Sequence, residues 1–334
     1  MDPKQILQAF HSALEHHYKD EAWQLKKQEG YIKNKWFEVS NIDKSLDNWL
    51  QALQVDNATQ WLSKYPIPPK YHGKKLGIIM AGNIPLVGMH DLMCGLVAGY
   101  QVIVKSSSED EVLPKFWVKK AVEVYPELAE RIIFSDQLKG IDAAIATGSN
   151  NSARYFEYYF RNIPHLLRKN RNSVSVLTGK ETHEDFLGFG HDVFDYFGLG
   201  CRNVTHLLLP QGYTLNEMLE TWEPTFMECI NHNKYANNYN YHKALLLMNL
   251  DKHLDAGYLL LQQKDALYSP VGVLNYSFYS QGIDAKNWLL KNAEKIQCIT
   301  SISTQYSKLK PGEAQKTMLW DYADGVDTLD WLLG

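Results

Sequence analysis

Between Leu76 and Gly179, short apolar runs alternate with amphipathic stretches, and this alternation limits the fold more than any other feature of the chain. LGIIMA (76–81), QVIVKSS, RIIFSD, AAIATG (143–148) and SVSVLTG (173–179) have the length and apolar content of buried strands. Residues 85–98, 109–130 and the stretch NSARYFEYYFRN between them read as helices. A β-α-β-α-β order predicts a parallel sheet with helices on its faces. Such sheets bind ligands at the carboxyl ends of their strands.

The pattern restarts after Gly179. A helix over 184–196 precedes a strand over Val204–Leu209, which Pro210, Gln211 and Gly212 close. Helices follow from Leu215 to about His232 and from about Tyr241, with the cluster NHNKYANNYNYH read as a polar loop between them. YLLLQQ and VGVLNYSFYS read as strands, DAKNWLLKNAEKI as a helix and CITSIS as a strand. Residues 1–70 look helical: Ile6, Phe10 and Leu14 share a face, SLDNWLQALQ is a second helix, and Asn57 is placed to cap a third. The expected fold is α/β, with two doubly wound domains and a helical arm. The expected divisions are 1–70 (arm), 71–179 (Rossmann-like), 180–312 (second α/β domain) and 313–334 (a segment packing back on the body).

The 334 residues, 45% of them hydrophobic, suit two domains better than one. A net charge of -4 gives no electrostatic case for a nucleic-acid partner. Cys94, Cys201, Cys229 and Cys298 show no paired spacing, so a disulfide framework is not expected. The charged first residues lack the apolar core of a signal peptide, and no apolar run approaches the ~20 residues of a transmembrane segment. The expectation is a soluble, cytoplasmic protein.

Four stretches carry residue types suited to chemistry. In FGLGCRNV, Gly198 and Gly200 allow a tight backbone just before Cys201, at a loop-to-strand junction. Arg202 beside it favours a thiolate. The competing reading is an inert buried cysteine. In MAGNIPLVG, Gly82 permits close backbone approach and Pro85 opens a helix; Asn83 is either an oxyanion donor or a plain N-cap. Lys105, with Ser106 and Ser107 behind it, ends a strand where a ribose hydroxyl or phosphate binds. Gly148 and Ser149 form a turn before a helix, an anion site or a simple cap. No intact G-x-G-x-x-G or G-x-S-x-G occurs, which disfavours a standard Rossmann dehydrogenase and a serine hydrolase. Cys229, His232 and His242 have ligand-like spacing without a fourth partner, so no metal is expected.

Taken in order, GNIPLVG, VAGYQVIVKSS, ATGSNNSARYF, RKNRNSVSVLTG, FGLGCRNV, PGEAQ and DYADGVDTLDWLL resemble the aldehyde dehydrogenase superfamily. More closely they are similar to its acyl-CoA reductase branch, the fatty-acid reductases of bacterial luminescence. The resemblance implies that Cys201 is the nucleophile and that Asn83, with the cysteine's own N–H, holds the oxyanion. It implies that Lys105, with Ser106 and Ser107, contacts the adenosine ribose of the cofactor, and that Gly148 and Ser149 lie by its diphosphate. Hydrolytic members carry a glutamate before the strand leading to the cysteine; HLLRKNRNSVSV has no acid there. The implied activity is therefore reduction of an acyl-CoA to the aldehyde, with NADPH (NADH possible) as cofactor and coenzyme A as part of the substrate. The alternatives are a dehydrogenase of free aldehydes and a catalytically silent protein of the same fold. A homo-oligomer is a further possibility.

Overall fold

The computed structural model describes residues 1–67, 71–148 and 150–334. The chain forms two units, Met1–Asn170 with Thr317–Gly334, and Arg171–Lys316.

The first unit opens with helices α1 (Pro3–Ser12), α2 (Glu21–Lys33), α3 (Val39–Ala52) and α4 (Val55–Leu62). Asp2 and Asp20 cap α1 and α2 through backbone N–H groups. Asn57 lies inside α4, not at its cap, and its amide donates to the Gln51 carbonyl at 2.8 Å. Strands β1 (Lys75–Ile79), β2 (Gln101–Lys105), β3 (Ile132–Phe134), β4 (Ala143–Thr147) and β5 (His165–Arg168) form a sheet of order β3-β2-β1-β4-β5, with every pair parallel. Helices α5 (Met89–Val97), α6 (Val112–Val124) and α7 (Asn150–Phe160) connect them. Strand β5 was not expected: its half-buried residues lack the fully apolar run of a central strand, because it lies at the sheet edge.

The first four helices do not form a separate arm. Ile6, Phe10, Trp23, Leu46 and Trp61 share one core with Leu76, Leu92, Val102 and Trp117, and the Trp117 indole donates to the Phe10 carbonyl. Leu319, Leu329 and Leu332 from the last stretch enter the same core. That stretch is tied by polar groups as well. His90 Nε2 donates to the Leu319 carbonyl at 2.8 Å. Arg168, bidentate on Asp91, donates to the Ala323 carbonyl and the Thr328 hydroxyl.

The second unit holds β6 (Asn172–Val176), β7 (Val204–Pro210), β8 (Leu254–Asp255), β9 (Leu260–Gln263), β10 (Val273–Tyr279) and β11 (Ile296–Thr300), in the order β11-β6-β7-β10-β9-β8. Only the β8–β9 pair is antiparallel. Helices α8 (His183–Phe194), α9 (Asn216–Phe226) and α10 (Asn233–Met248) lie along its connections, α11 (Gly282–Lys291) joins β10 to β11, and α12 (Thr328–Leu333) ends the first unit.

Two expectations are corrected here. The division falls before β6, not after Gly179, because β6 pairs with β7 and β11, both of the second sheet. An apolar run shows that a strand is buried, not which sheet receives it. The Asn/Tyr cluster is helical, not a loop. Its Tyr235, Tyr239 and Leu246 are buried, and such packing outweighs the weak helix propensity of asparagine.

Candidate active site

The expected residues of the first unit gather at the carboxyl ends of β1, β2 and β4. β1 lies between the other two, so they flank the point where the winding of the sheet reverses. Gly82 is forced by its surroundings: a Cβ there would sit 2.6 Å from Ser107 Oγ and 3.0 Å from the Asp110 nitrogen. Asn83 follows, half-buried. The loop is then fixed on both sides. The Ser45 hydroxyl donates to the Pro85 carbonyl at 2.9 Å, and the Leu86 N–H donates to Asp110 Oδ2 at 2.6 Å.

Leu86 has φ of +62°, which breaks the path between Pro85 and the helix that follows. Helix α5 therefore starts at Met89 with Gly88 as its N-cap. Pro85 does not open it and Asn83 does not cap it. Lys105, the last residue of β2, is exposed. The Ser106 hydroxyl is buried without a hydrogen-bond partner among the described residues, and Ser107 Oγ accepts from the Glu109 N–H. The Gly148 N–H donates to the Arg168 carbonyl at 3.3 Å, and a Cβ there would meet Phe156 at 2.9 Å. Ser149 lies outside the described residues.

Asp110 was not expected. It is buried, Oδ1 has no hydrogen-bond partner among the described residues, and burial pushes its carboxyl up to about 7 against the opposing Leu86 N–H.

Cys201 lies in the second unit, half-buried, three residues before β7. The backbone ahead of it is unusual. Tyr196, Phe197 and Gly198 take φ values of +53°, +56° and +76° in succession. A left-handed conformation costs a residue with a Cβ about 1–2 kcal/mol. Burial of the Tyr196 and Phe197 side chains offsets that, the Phe197 ring lying 4.4 Å from the ring of His232. The sequence points to Gly198 and Gly200 as the flexible positions; only Gly198 has positive φ, and the strain sits on the two aromatic residues instead.

Asn203, fully buried, holds the turn. Its Oδ1 accepts from the Gly200 N–H at 2.8 Å. Its Nδ2 donates to the carbonyls of Asp195 (2.7 Å), Asp192 (3.2 Å) and Val193 (3.4 Å) at the end of α8. The Ser173 hydroxyl donates to the Cys201 carbonyl at 3.1 Å. Arg202 Nε donates to the Ala314 carbonyl, so the guanidinium engages backbone of the 311–315 segment. That segment runs close against α8, where a Cβ on Gly188 would lie 2.7 Å from the Pro311 backbone. The Asp192 carboxylate accepts from the N–H groups of Gly312 and Ala314, both at 3.0 Å.

Other thiols have different surroundings. Cys94 is fully buried, and burial pushes its thiol well up; Cys229 is raised to about 12 for the same reason. Cys298 is buried with its Sγ 3.1 Å from Ser173 Oγ. The aromatics of RYFEYYF divide between surface and core: Tyr155, Tyr158 and Tyr159 are exposed, and Phe160 is buried. Among the described residues no cluster of His, Cys, Asp and Glu forms a metal site, and His232 instead caps α10. No helix among them is long and apolar enough to cross a membrane.

Asn203 and Asp192 escaped the sequence reading because their partners are mostly backbone groups, joined for Asp192 by the distant Thr300 hydroxyl. The asparagine two residues past Cys201 was the available signal, since short amides at tight turns bond to nearby main chain.

No family model matches the sequence, and no curated protein matches it. Solved structures do. The chain is similar to an aldehyde dehydrogenase of Mycobacterium tuberculosis complexed with NAD+, at 13% identity and a TM-score of 0.63, over 93% of this chain and 79% of that one. It is similar to a propionaldehyde dehydrogenase from the Clostridium phytofermentans fucose utilisation microcompartment, at 10% identity and a TM-score of 0.62, over 94% and 84%. Aldehyde dehydrogenase 21 of Physcomitrella patens, solved with succinate, matches at 11% identity and a TM-score of 0.62, over 98% and 78%. With its parallel sheets in this order, the chain has the aldehyde dehydrogenase fold.

Proposed function

We propose that the protein is an NADPH-dependent acyl-CoA reductase that works through a Cys201 acyl-enzyme. The observation that carries this reading is the Cys201 turn: a half-buried thiol on a loop strained at Tyr196 and Phe197 and braced by Asn203, Ser173 and the 311–315 segment. Strain of this kind persists where the surroundings over-determine it, and it concentrates at active sites.

The first sheet supports a dinucleotide. Gly82 and Gly148 leave no room for a Cβ, Lys105 is exposed, and the Ser106 hydroxyl has no hydrogen-bond partner among the described residues. These residues fit a cofactor held by Lys105, Ser106, Ser107 and the Gly148 backbone. A reduced nicotinamide supplies hydride to the acyl carbon when bound. The Cys201 thiolate attacks the thioester carbonyl, forming the C–S bond and expelling coenzyme A as its thiolate. The Cys201 N–H donates to the oxyanion in that step, and Asn83 is assigned as a second donor on the family resemblance alone. Residues 165–176 contain no Asp or Glu to activate water, which favours a thioester over hydrolytic turnover.

The test is NADPH consumption with a fatty acyl-CoA, read beside NAD(P)+ reduction with the free aldehyde. The proposal expects the first activity, an acyl group on the Cys201 peptide by mass spectrometry, and loss of both in Cys201→Ser. Activity only with free aldehyde makes the protein an ordinary dehydrogenase of this fold. Activity with neither leaves a silent protein. Asn83→Ala should lower turnover by ~100-fold or more with the fold intact.

A further inference from the structure

We infer that Asp192 is a positioning residue for Cys201, the node on which both supports of the cysteine turn hang. The inference rests on Cys201 being the acyl-accepting thiol.

The geometry makes Asp192 act twice. Its backbone carbonyl accepts from Asn203 Nδ2, and Asn203 Oδ1 in turn holds the Gly200 N–H, one residue before the thiol. Its carboxylate accepts from the Gly312 and Ala314 N–H groups, and the Ala314 carbonyl takes Arg202, one residue after the thiol. Residues 200 and 202 are therefore both referred to one position on α8. Sequence context requires this packing: Gly188 on the same helix touches the Pro311 backbone, and Gly312 has φ of +82° with its ideal Cβ 3.2 Å from the Gly188 Cα. Asp192 is 1% exposed, so solvent does not replace these bonds if they are lost.

A carboxylate here is costly unless it does something an amide cannot. Burial raises its pKa to about 7, while the Gly312 and Ala314 N–H groups and the Thr300 hydroxyl on β11 oppose that rise. The charged group that also faces it is Asp195, beyond the end of its own helix and 3.1 Å from His191 Nδ1; Asp195 raises it further. On the far side of the Gly312–Ala314 strap lies the Arg202 guanidinium, bound to the Ala314 carbonyl. Ionised, Asp192 accepts from both strap N–H groups with charge-assisted bonds. Protonated, it accepts weakly from both strap N–H groups, and its own O–H can turn only to the Thr300 hydroxyl. The grip on the strap therefore tightens as pH rises through neutrality.

The test uses the full chain and reads thiol reactivity, which needs no turnover. The rate of Cys201 alkylation by iodoacetamide is followed by peptide mass spectrometry from pH 5.5 to 9, with Cys229 as internal control. In the wild type the Cys201 profile should show a step near pH 7 beside the titration of the thiol, and Cys229 should not. Asp192→Asn, which keeps the size of the side chain, should remove that step and change the alkylation rate above pH 8 by about 5-fold or more. Arg202→Gln, cutting the strap from the other side, should remove the same step if Asp192→Asn fails to fold. A wild-type profile fitted by one thiol titration, or an Asp192→Asn profile identical to it, overturns the inference. Failure of Cys201 to take an acyl group from the thioester in the wild type would instead sink the proposed function, and that assay is read separately.

Discussion

Replacing Asn203 with alanine tests how the cysteine turn is built. The side chain is fully buried and makes two short hydrogen bonds, from the Gly200 N–H (2.8 Å) and to the Asp195 carbonyl (2.7 Å), with two longer ones to Asp192 and Val193. Alanine leaves the Gly200 N–H and the Asp195 carbonyl without this partner. Each buried group left unsatisfied costs about 1–3 kcal/mol, so the total for two is about 2–6 kcal/mol. In addition, Tyr196 and Phe197 lose part of what holds them at positive φ. For a unit of this size 1 kcal/mol corresponds to about 2–4 °C, so a fall of roughly 4–24 °C is expected for the transition of the second unit. Scanning calorimetry measures it. Asn203→Asp sharpens the test, because its carboxylate keeps the Gly200 contact but faces three carbonyl oxygens when ionised. Burial and those carbonyls raise its pKa in the folded state, so its destabilisation should grow as pH rises. An alanine variant within 0.5 kcal/mol of wild type would refute the reasoning, since it would mean the turn holds itself.

Two further expectations concern other contacts. Asp110, raised from 3.8 to about 7, favours folding in its protonated form; its contribution is complete below about pH 4 and declines as pH rises to 7. Asp110→Asn should therefore gain stability relative to wild type between pH 5 and pH 7.5, by up to ~1.4 kcal/mol per pH unit, and urea midpoints that move in parallel at both ends would count against it. Gly188→Ala should destabilise by about 1–3 kcal/mol, because the new methyl meets Pro311 backbone, which cannot rotate away; an unchanged melting temperature would show that the 311–315 segment yields.

How much of this was visible in the chain follows from the range of the forces involved. The central strands of both sheets stand out as apolar runs because burial on two faces demands them, whereas the edge strands β5 and β8 carry no such run. The close backbone approach at Gly82 and the loop-to-strand placement of Cys201 were legible through their local sequence. What escaped depends on residues distant in sequence. Val174 looks the same whether its strand joins one sheet or the other, and only its pairing partner His206 decides. Asp192 carries no local mark of its bonds to Gly312 and Ala314, which lie 120 and 122 residues further along. Tyr235 and Tyr239 gave a helix stripe, yet the surrounding asparagines masked it.

The first unit is assembled from both ends of the sequence, with Leu319, Leu329 and Leu332 seated among residues from the opening helices. During synthesis the ribosome delivers every residue of the second unit before it delivers those three. The earlier-made half thus waits, its apolar surface incompletely covered, while the later-made half is already free to fold. Chaperone dependence should therefore concentrate on nascent chains that stop short of residue 317, and removing residues 317–334 should damage the portion of the molecule made first.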